Sequence, residues 1–170
     1  MTERKNEVTF GGAVVTLLGN KINIGDKAPD FVALKNDLSE LRLSELEGVK
    51  LISVVPSIDT GVCELQTTRF NQEAGNLKGV NVITISVDLP FALDRFCANK
   101  GIDKAVTLSD HRDLDFGTKY GFAIKEHRLL SRGIVLVDAD NIVRYVEYVS
   151  EVTNHPDYDK ALAATRELLK

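Results

Sequence analysis

Two runs rich in β-branched residues, Leu51-Ile52-Ser53-Val54-Val55 and Val80-Asn81-Val82-Ile83-Thr84-Ile85-Ser86, are separated by a stretch of helical character. This arrangement constrains the fold more than any other feature of the chain. A run that is apolar at nearly every position suits a strand covered on both faces. Two such strands joined by a helix form a βαβ unit, with the strands parallel and the crossover right-handed.

The remaining elements arrange themselves around that unit. Glu7 to Phe10 and Ala13 to Leu18 read as an N-terminal hairpin turned by Gly11-Gly12, since glycine adopts positive φ at little cost. Short strands are expected near Phe31 to Leu34 and Ser39 to Leu43, with one helical turn at Ser44 to Glu47 closed by Gly48. The helix inside the βαβ unit is expected from Gly61 to Leu77. A second helix is expected from Leu89 to Asn99, with Asp88 as its cap, Pro90 in its first turn and Gly101 past its end. A third strand (Ala105 to Leu108), a helix (Leu114 to Tyr120) and an irregular basic stretch (Ile124 to Ser131) follow. Gly133 to Val137 and Ile142 to Val149 then form a hairpin across Asp138-Ala139-Asp140-Asn141, and Tyr158 to Lys170 closes the chain as a helix.

No repeat, low-complexity tract or linker interrupts the 170 residues, so one domain spanning 1–170 is expected. A chain of that length buries roughly 70% of its unfolded surface, and needs no cofactor to hold a core together. Charged residues make up 27% and hydrophobic residues 44%, with a net charge of −4 and no basic stripe. That balance argues against nucleic acid and anionic membranes as partners. Met1 to Glu7 leads into no long apolar segment, and no run approaches the length of a membrane span. Neither a signal peptide nor a spanning helix is expected, and a cytoplasmic location follows.

The chemistry concentrates in Pro56-Ser57-Ile58-Asp59-Thr60-Gly61-Val62-Cys63, which places one of only two cysteines on a helix N-terminus. If Thr60 is the N-cap, its oxygen accepts from the N–H three residues on, that of Cys63, and so lies beside the thiol. The unpaired first-turn N–H groups and the positive end of the helix dipole favour a thiolate over a thiol. At about 100° per residue Cys63 shares a face with Phe70, Ala74 and Leu77, which predicts a half-sheltered sulfur. Taken alone, a small buried cysteine near a helix start would be the plainer reading.

The second cysteine, Cys97, shares a helical face with Leu93 and Phe96 and is by itself more simply a core residue. Its separation from Cys63 permits a disulfide without requiring one. His111, His127 and His155 show no ligand spacing with either cysteine, so no metal site is expected. Arg112 and Arg128 are two basic residues that could serve Cys63; Arg69 lies about 120° away from it around the helix.

The string Pro56, Thr60 and Cys63 forms a P-x-x-x-T-x-x-C pattern, and in it the chain resembles the peroxiredoxins, specifically their thiol peroxidase branch. Glu64 stands where the typical two-cysteine members carry proline, which points to the atypical branch with both cysteines in one chain. The resemblance implies a thioredoxin-like α/β sandwich, a central mixed sheet flanked by helices, with the N-terminal β-hairpin added. It implies a peroxidase acting on hydrogen peroxide and organic hydroperoxides, with Cys63 as peroxidatic and Cys97 as resolving cysteine. Those two would form an intramolecular disulfide through a Cys63 sulfenic acid. Arg132, in Ser131-Arg132-Gly133, resembles the active-site arginine that stabilises charge, although Gly133 fits the pattern less well. Thr60 would hydrogen-bond thiolate and peroxide, and Pro56 would shield the sulfur from water. Thioredoxin as reductant and a homodimer are implied as partners, and no bound cofactor. The two sulfurs are expected apart in the reduced protein. A redox sensor using the same sulfur chemistry and an interaction module with inert thiols are the rival readings.

Overall fold

The computed structural model describes all residues from Met1 to Lys170. Its centre is the expected βαβ unit: β5 (Val49–Val54) and β6 (Val80–Ser86) pair in parallel across α1 (Gly61–Glu73). Every residue of β5 is buried, as a strand covered on both faces requires. Including β1 (Glu3–Phe10), β2 (Ala13–Leu18), β3 (Val32–Leu34) and β4 (Glu40–Arg42), the chain forms two sheets.

The larger sheet is seven-stranded and mixed. After α2 (Pro90–Lys100) comes β7 (Val106–Ser109), which pairs in parallel with β6. On the other side β10 (Gly133–Val137) runs antiparallel to β5 and to β11 (Val143–Tyr148). The full order is β11-β10-β5-β6-β7-β3-β4. Side chains alternate along each strand, so the sheet builds two cores. Ile52, Val54, Ile83, Ile85, Val135 and Val137 face Phe31 and α3 (Asp115–Tyr120) through Phe116 and Tyr120. Leu51, Val82, Ile134 and Leu136 face α1 through Phe70 and Ala74, and α4 (Tyr158–Leu168) through Ala161 and Leu162. Burying each such side chain stabilises by about 1.5–3 kcal/mol. The result is the thioredoxin-like α/β sandwich.

The N-terminal hairpin forms as expected around Gly11 and Gly12, whose φ values of 60° and 84° suit a two-residue turn. Its first strand begins earlier than the pattern suggests, at Glu3, with a bulge between Arg4 and Val8.

Three expectations need correction. The stretch read as irregular, Ile124 to Ser131, lies in a tight hairpin of β8 (Ala123–Ile124) and β9 (Leu129–Leu130). These strands are too short to show periodicity, and β8 is held by distant β2 through Leu17 and Leu18. The helix α1 ends at Glu73 rather than Leu77, with Ala74 as its C-cap, and Gly75 just beyond packs where a Cβ would meet Asn71 O and Lys104 Cβ at 2.3 Å. The second helix starts at Pro90, with Leu89 at its cap position, and Asp88 does not cap it. Gly101 closes that helix at a φ of 65°. No helix is long and apolar enough to cross a membrane.

Candidate active site

Four of the five residues singled out from the sequence come together where β5 hands over to α1. Thr60 is the N-cap of α1, extended at φ −107° and ψ 149°, and its Oγ1 accepts from the Cys63 N–H at 3.4 Å. The same hydroxyl donates to Cys63 Sγ at 2.6 Å. This follows from helix geometry, since an N-cap oxygen facing the third amide also faces that residue's side chain.

Arg132 arrives from the start of β10. Its Nη2 donates to Cys63 Sγ at 3.0 Å, its Nη1 to Gln66 Oε1 at 2.9 Å and its Nε to Val152 O at 2.6 Å. The arginine is 2% exposed, and no carboxylate lies within ion-pair distance of it. A buried cation without a carboxylate is costly unless another anion compensates it. The Cys63 sulfur is the group placed to do so.

Cys63 itself is fully buried rather than half-sheltered. A helical wheel counts only neighbours on its own helix, and here Arg132 covers the sulfur from a different strand. Pro56 is buried as well, and offers no N–H that would need a partner. A pocket of about 130 Å³ reaches this point, lined by Pro56, Thr60, Gly61, Val62, Arg132 and Val152 among others.

Gly133 leaves no room for a side chain. A Cβ there would meet Glu147 O at 2.1 Å and Phe122 Cε1 at 2.5 Å, so glycine lets β10 lie close to β11 directly after the arginine. The other arginines weighed from the sequence are occupied elsewhere. Arg112 pairs with Glu40 and Asp113, Arg69 with Glu73 and Asp159, and Arg128 donates to His111 O.

Two supporting roles escaped the sequence reading. Gln66, one helical turn after Cys63, is fully buried; it accepts from Arg132 and donates to Ser53 Oγ at 2.7 Å. Its place one turn after Cys63, between Cys63 and Phe70 on the buried side of α1, was the available signal. Asp88 accepts from Ser57 Oγ, Ile58 N and Ser86 Oγ at 2.6–2.9 Å, and so braces the loop that carries Thr60 instead of capping α2.

Cys97 lies apart from this cluster. It is half-buried on α2, with Leu93, Phe96 and Ile102 behind it, and its Sγ neighbours are Thr107 Oγ1 at 3.4 Å and Asn36 Nδ2 at 4.0 Å. Neither cysteine is in a disulfide. His127 packs against Phe10 and His155 bonds the Tyr158 hydroxyl, and no three His, Cys, Asp or Glu side chains converge on a metal position.

A cysteine at a helix N-terminus within a thioredoxin-like sandwich defines a thiol-redox class of protein, and residues 23–162 match the Redoxin family model. The chain belongs to that family, in its thiol peroxidase branch. It is 60% identical over 163 residues to the thiol peroxidase of Halalkalibacterium halodurans, covering 95% of this chain and 98% of that protein. It is 60% identical to the thiol peroxidase of Oceanobacillus iheyensis, covering 93% of this chain and 97% of that protein. Among solved structures, a peroxiredoxin-like protein from Aquifex aeolicus superposes with a TM-score of 0.88 at 36% identity, covering 97% of this chain and 99% of that one.

Proposed function

We propose that this enzyme reduces hydrogen peroxide and organic hydroperoxides through Cys63 and recycles through a Cys63–Cys97 disulfide. The observation that carries the reading is the convergence of the Thr60 hydroxyl and the Arg132 guanidinium on one buried sulfur. Both are donors, and donors around sulfur favour an anionic nucleophile.

In the first step the Cys63 thiolate attacks the terminal peroxide oxygen. The S–O bond forms, the O–O bond breaks, and the departing alkoxide or hydroxide takes up a proton as alcohol or water. Sulfur is oxidised to sulfenic acid and the peroxide is reduced. Arg132 and Thr60 face the charge that shifts from sulfur to oxygen, and Pro56 keeps bulk water off the sulfenic acid. In the second step the Cys97 thiol attacks the Cys63 sulfur, the S–S bond forms, and the hydroxyl leaves as water with the Cys97 proton.

The two sulfurs sit on different helices among different partners, so part of α1 or α2 must loosen before the second step. A dithiol protein of thioredoxin type then returns both cysteines to thiols. In this reading the enzyme is a single domain over 1–170 that acts as a homodimer in the cytoplasm, a compartment that keeps thiols reduced between turnovers.

The test is a single turnover with one equivalent of cumene hydroperoxide, followed by stopped flow and intact mass. The wild type is expected to lose both thiols to an intramolecular disulfide, and Cys97→Ser to accumulate sulfenic acid on Cys63. A Cys63 that reacts no faster than free cysteine would overturn the proposal.

A further inference from the structure

Thr107, on β7, and Asn36, in the turn between β3 and β4, form a hydrogen-bonded pair against Cys97. Thr107 is buried at 3% exposure, and its Oγ1 donates to Asn36 Oδ1 at 2.8 Å. A hydroxyl has a single proton to give. With that proton committed to Asn36, Thr107 Oγ1 meets Cys97 Sγ, 3.4 Å away, as an acceptor, and the cysteine S–H is the donor. The amide orientation that gives Thr107 its acceptor also turns the Asn36 NH₂ towards the sulfur, at 4.0 Å.

The two threonines therefore treat the two cysteines in opposite ways. Thr60 gives its proton to Cys63, whereas Thr107 takes the proton of Cys97. One arrangement brings a hydroxyl donor to the sulfur, and the other ties the Cys97 S–H to the sheet through Thr107. A cleft of about 450 Å³ opens beside Cys97, lined by Lys35, Asp94 and Val106 among others, so the thiol has space into which to move once released.

We propose that Asn36 and Thr107 are positioning residues for Cys97, holding its thiol against β7 and setting the rate at which it is released to the oxidised Cys63. The proposal rests on the peroxidase reading for its second half only. The restraint on Cys97 belongs to the reduced protein whatever its function.

Two measurements separate these halves. In a Cys63→Ser background, iodoacetamide labelling of Cys97 is timed in the parent and with Thr107→Val, Thr107→Ser or Asn36→Ala added. With Cys63 intact, disulfide formation is timed relative to Cys63 oxidation after one equivalent of cumene hydroperoxide. Thr107→Val, which keeps the side-chain shape, and Asn36→Ala are expected to raise both rates threefold or more. Thr107→Ser, which keeps the hydroxyl, is expected to stay within twofold of the parent. A smaller rise in labelling, or a Thr107→Ser that speeds up as much as Thr107→Val, overturns the restraint. Faster labelling with unchanged disulfide formation overturns the rate-setting role. If no Cys63–Cys97 disulfide forms in the wild type, the peroxidase reading has failed, and the labelling result still decides whether the pair holds Cys97.

Discussion

Arg132 and Cys63 lie 69 residues apart in the chain, yet a guanidinium nitrogen stands 3.0 Å from the sulfur. All three arginine nitrogens are used: one holds the sulfur, one Gln66 and one the Val152 carbonyl. The last two partners fix the direction of the first, so the positive charge needs no reorganisation when charge shifts during reaction.

Replacing Arg132 with Met removes the cation and keeps most of the volume. Loss of a preorganised charge stabiliser costs on the order of 10²–10³ in rate. The second-order rate of Cys63 oxidation, measured by stopped flow, is expected to fall by that factor. A fall of less than tenfold would show that the guanidinium is not aimed at the reacting atoms.

Thr60 serves both the helix and the sulfur, so its two functions separate by substitution. Thr60→Val is expected to lose about 1 kcal/mol of stability through the missing cap. It should also slow Cys63 oxidation by roughly ten- to a hundredfold, the worth of a hydrogen bond to a charged group. Thr60→Ser retains the hydroxyl and should stay close to wild type in both urea unfolding and peroxide kinetics. Equal losses in the two variants would show that the hydroxyl is not the group responsible.

Gly133→Ala tests the close packing behind the arginine. The added Cβ would meet backbone at 2.1 Å and the Phe122 ring at 2.5 Å, so β10 and β11 must part. Overpacking of this kind costs about 1–3 kcal/mol. A lowered urea midpoint is expected, together with slower Cys63 oxidation because Arg132 is the adjacent residue. An unchanged midpoint would mean that the strands accommodate the methyl group freely.

Asp110 makes stability depend on pH. Burial pushes its carboxyl up to about 6, against the pull of the Gly117 and Phe116 N–H groups; Asp115 adds to the rise and Arg128 opposes it. Between about pH 4 and 6 the folded protein keeps a proton that the unfolded chain has released, so stability falls as pH rises through that window. The stability that Asp110 confers relative to Asp110→Asn is expected to be about 2 kcal/mol larger at pH 4.5 than at pH 7. Urea unfolding of both proteins at the two pH values measures this directly. A constant difference would place the titration outside the window.

Local order was legible wherever it depends on residues a few positions apart. The near-continuous apolar character and branching of Leu51 to Val55 and Val80 to Ser86 set the βαβ unit, Gly11-Gly12 set the first hairpin, and the three-residue step from Thr60 to Cys63 set the contact between hydroxyl and sulfur. Each follows from the repeat of a helix or strand, which the sequence carries by itself. The placement of Arg132 was legible only through family resemblance, because nothing in Ser131-Arg132-Gly133 says what the side chain meets.

Tertiary structure decided the rest. Asp88 looked like a helix cap because caps are local signals, but it turns back to Ser57 and Ile58, about 30 residues away. The β8–β9 hairpin escaped notice because two-residue strands carry no period, and its order comes from β2. Cys63 is fully buried, not half-sheltered, because a strand far along the chain lays Arg132 over it. The sequence alone determined the elements and the side of α1 on which the sulfur lies. Which distant groups close over that sulfur depended on the packing of β10 against β5, since long-range contacts leave no periodic trace in the chain.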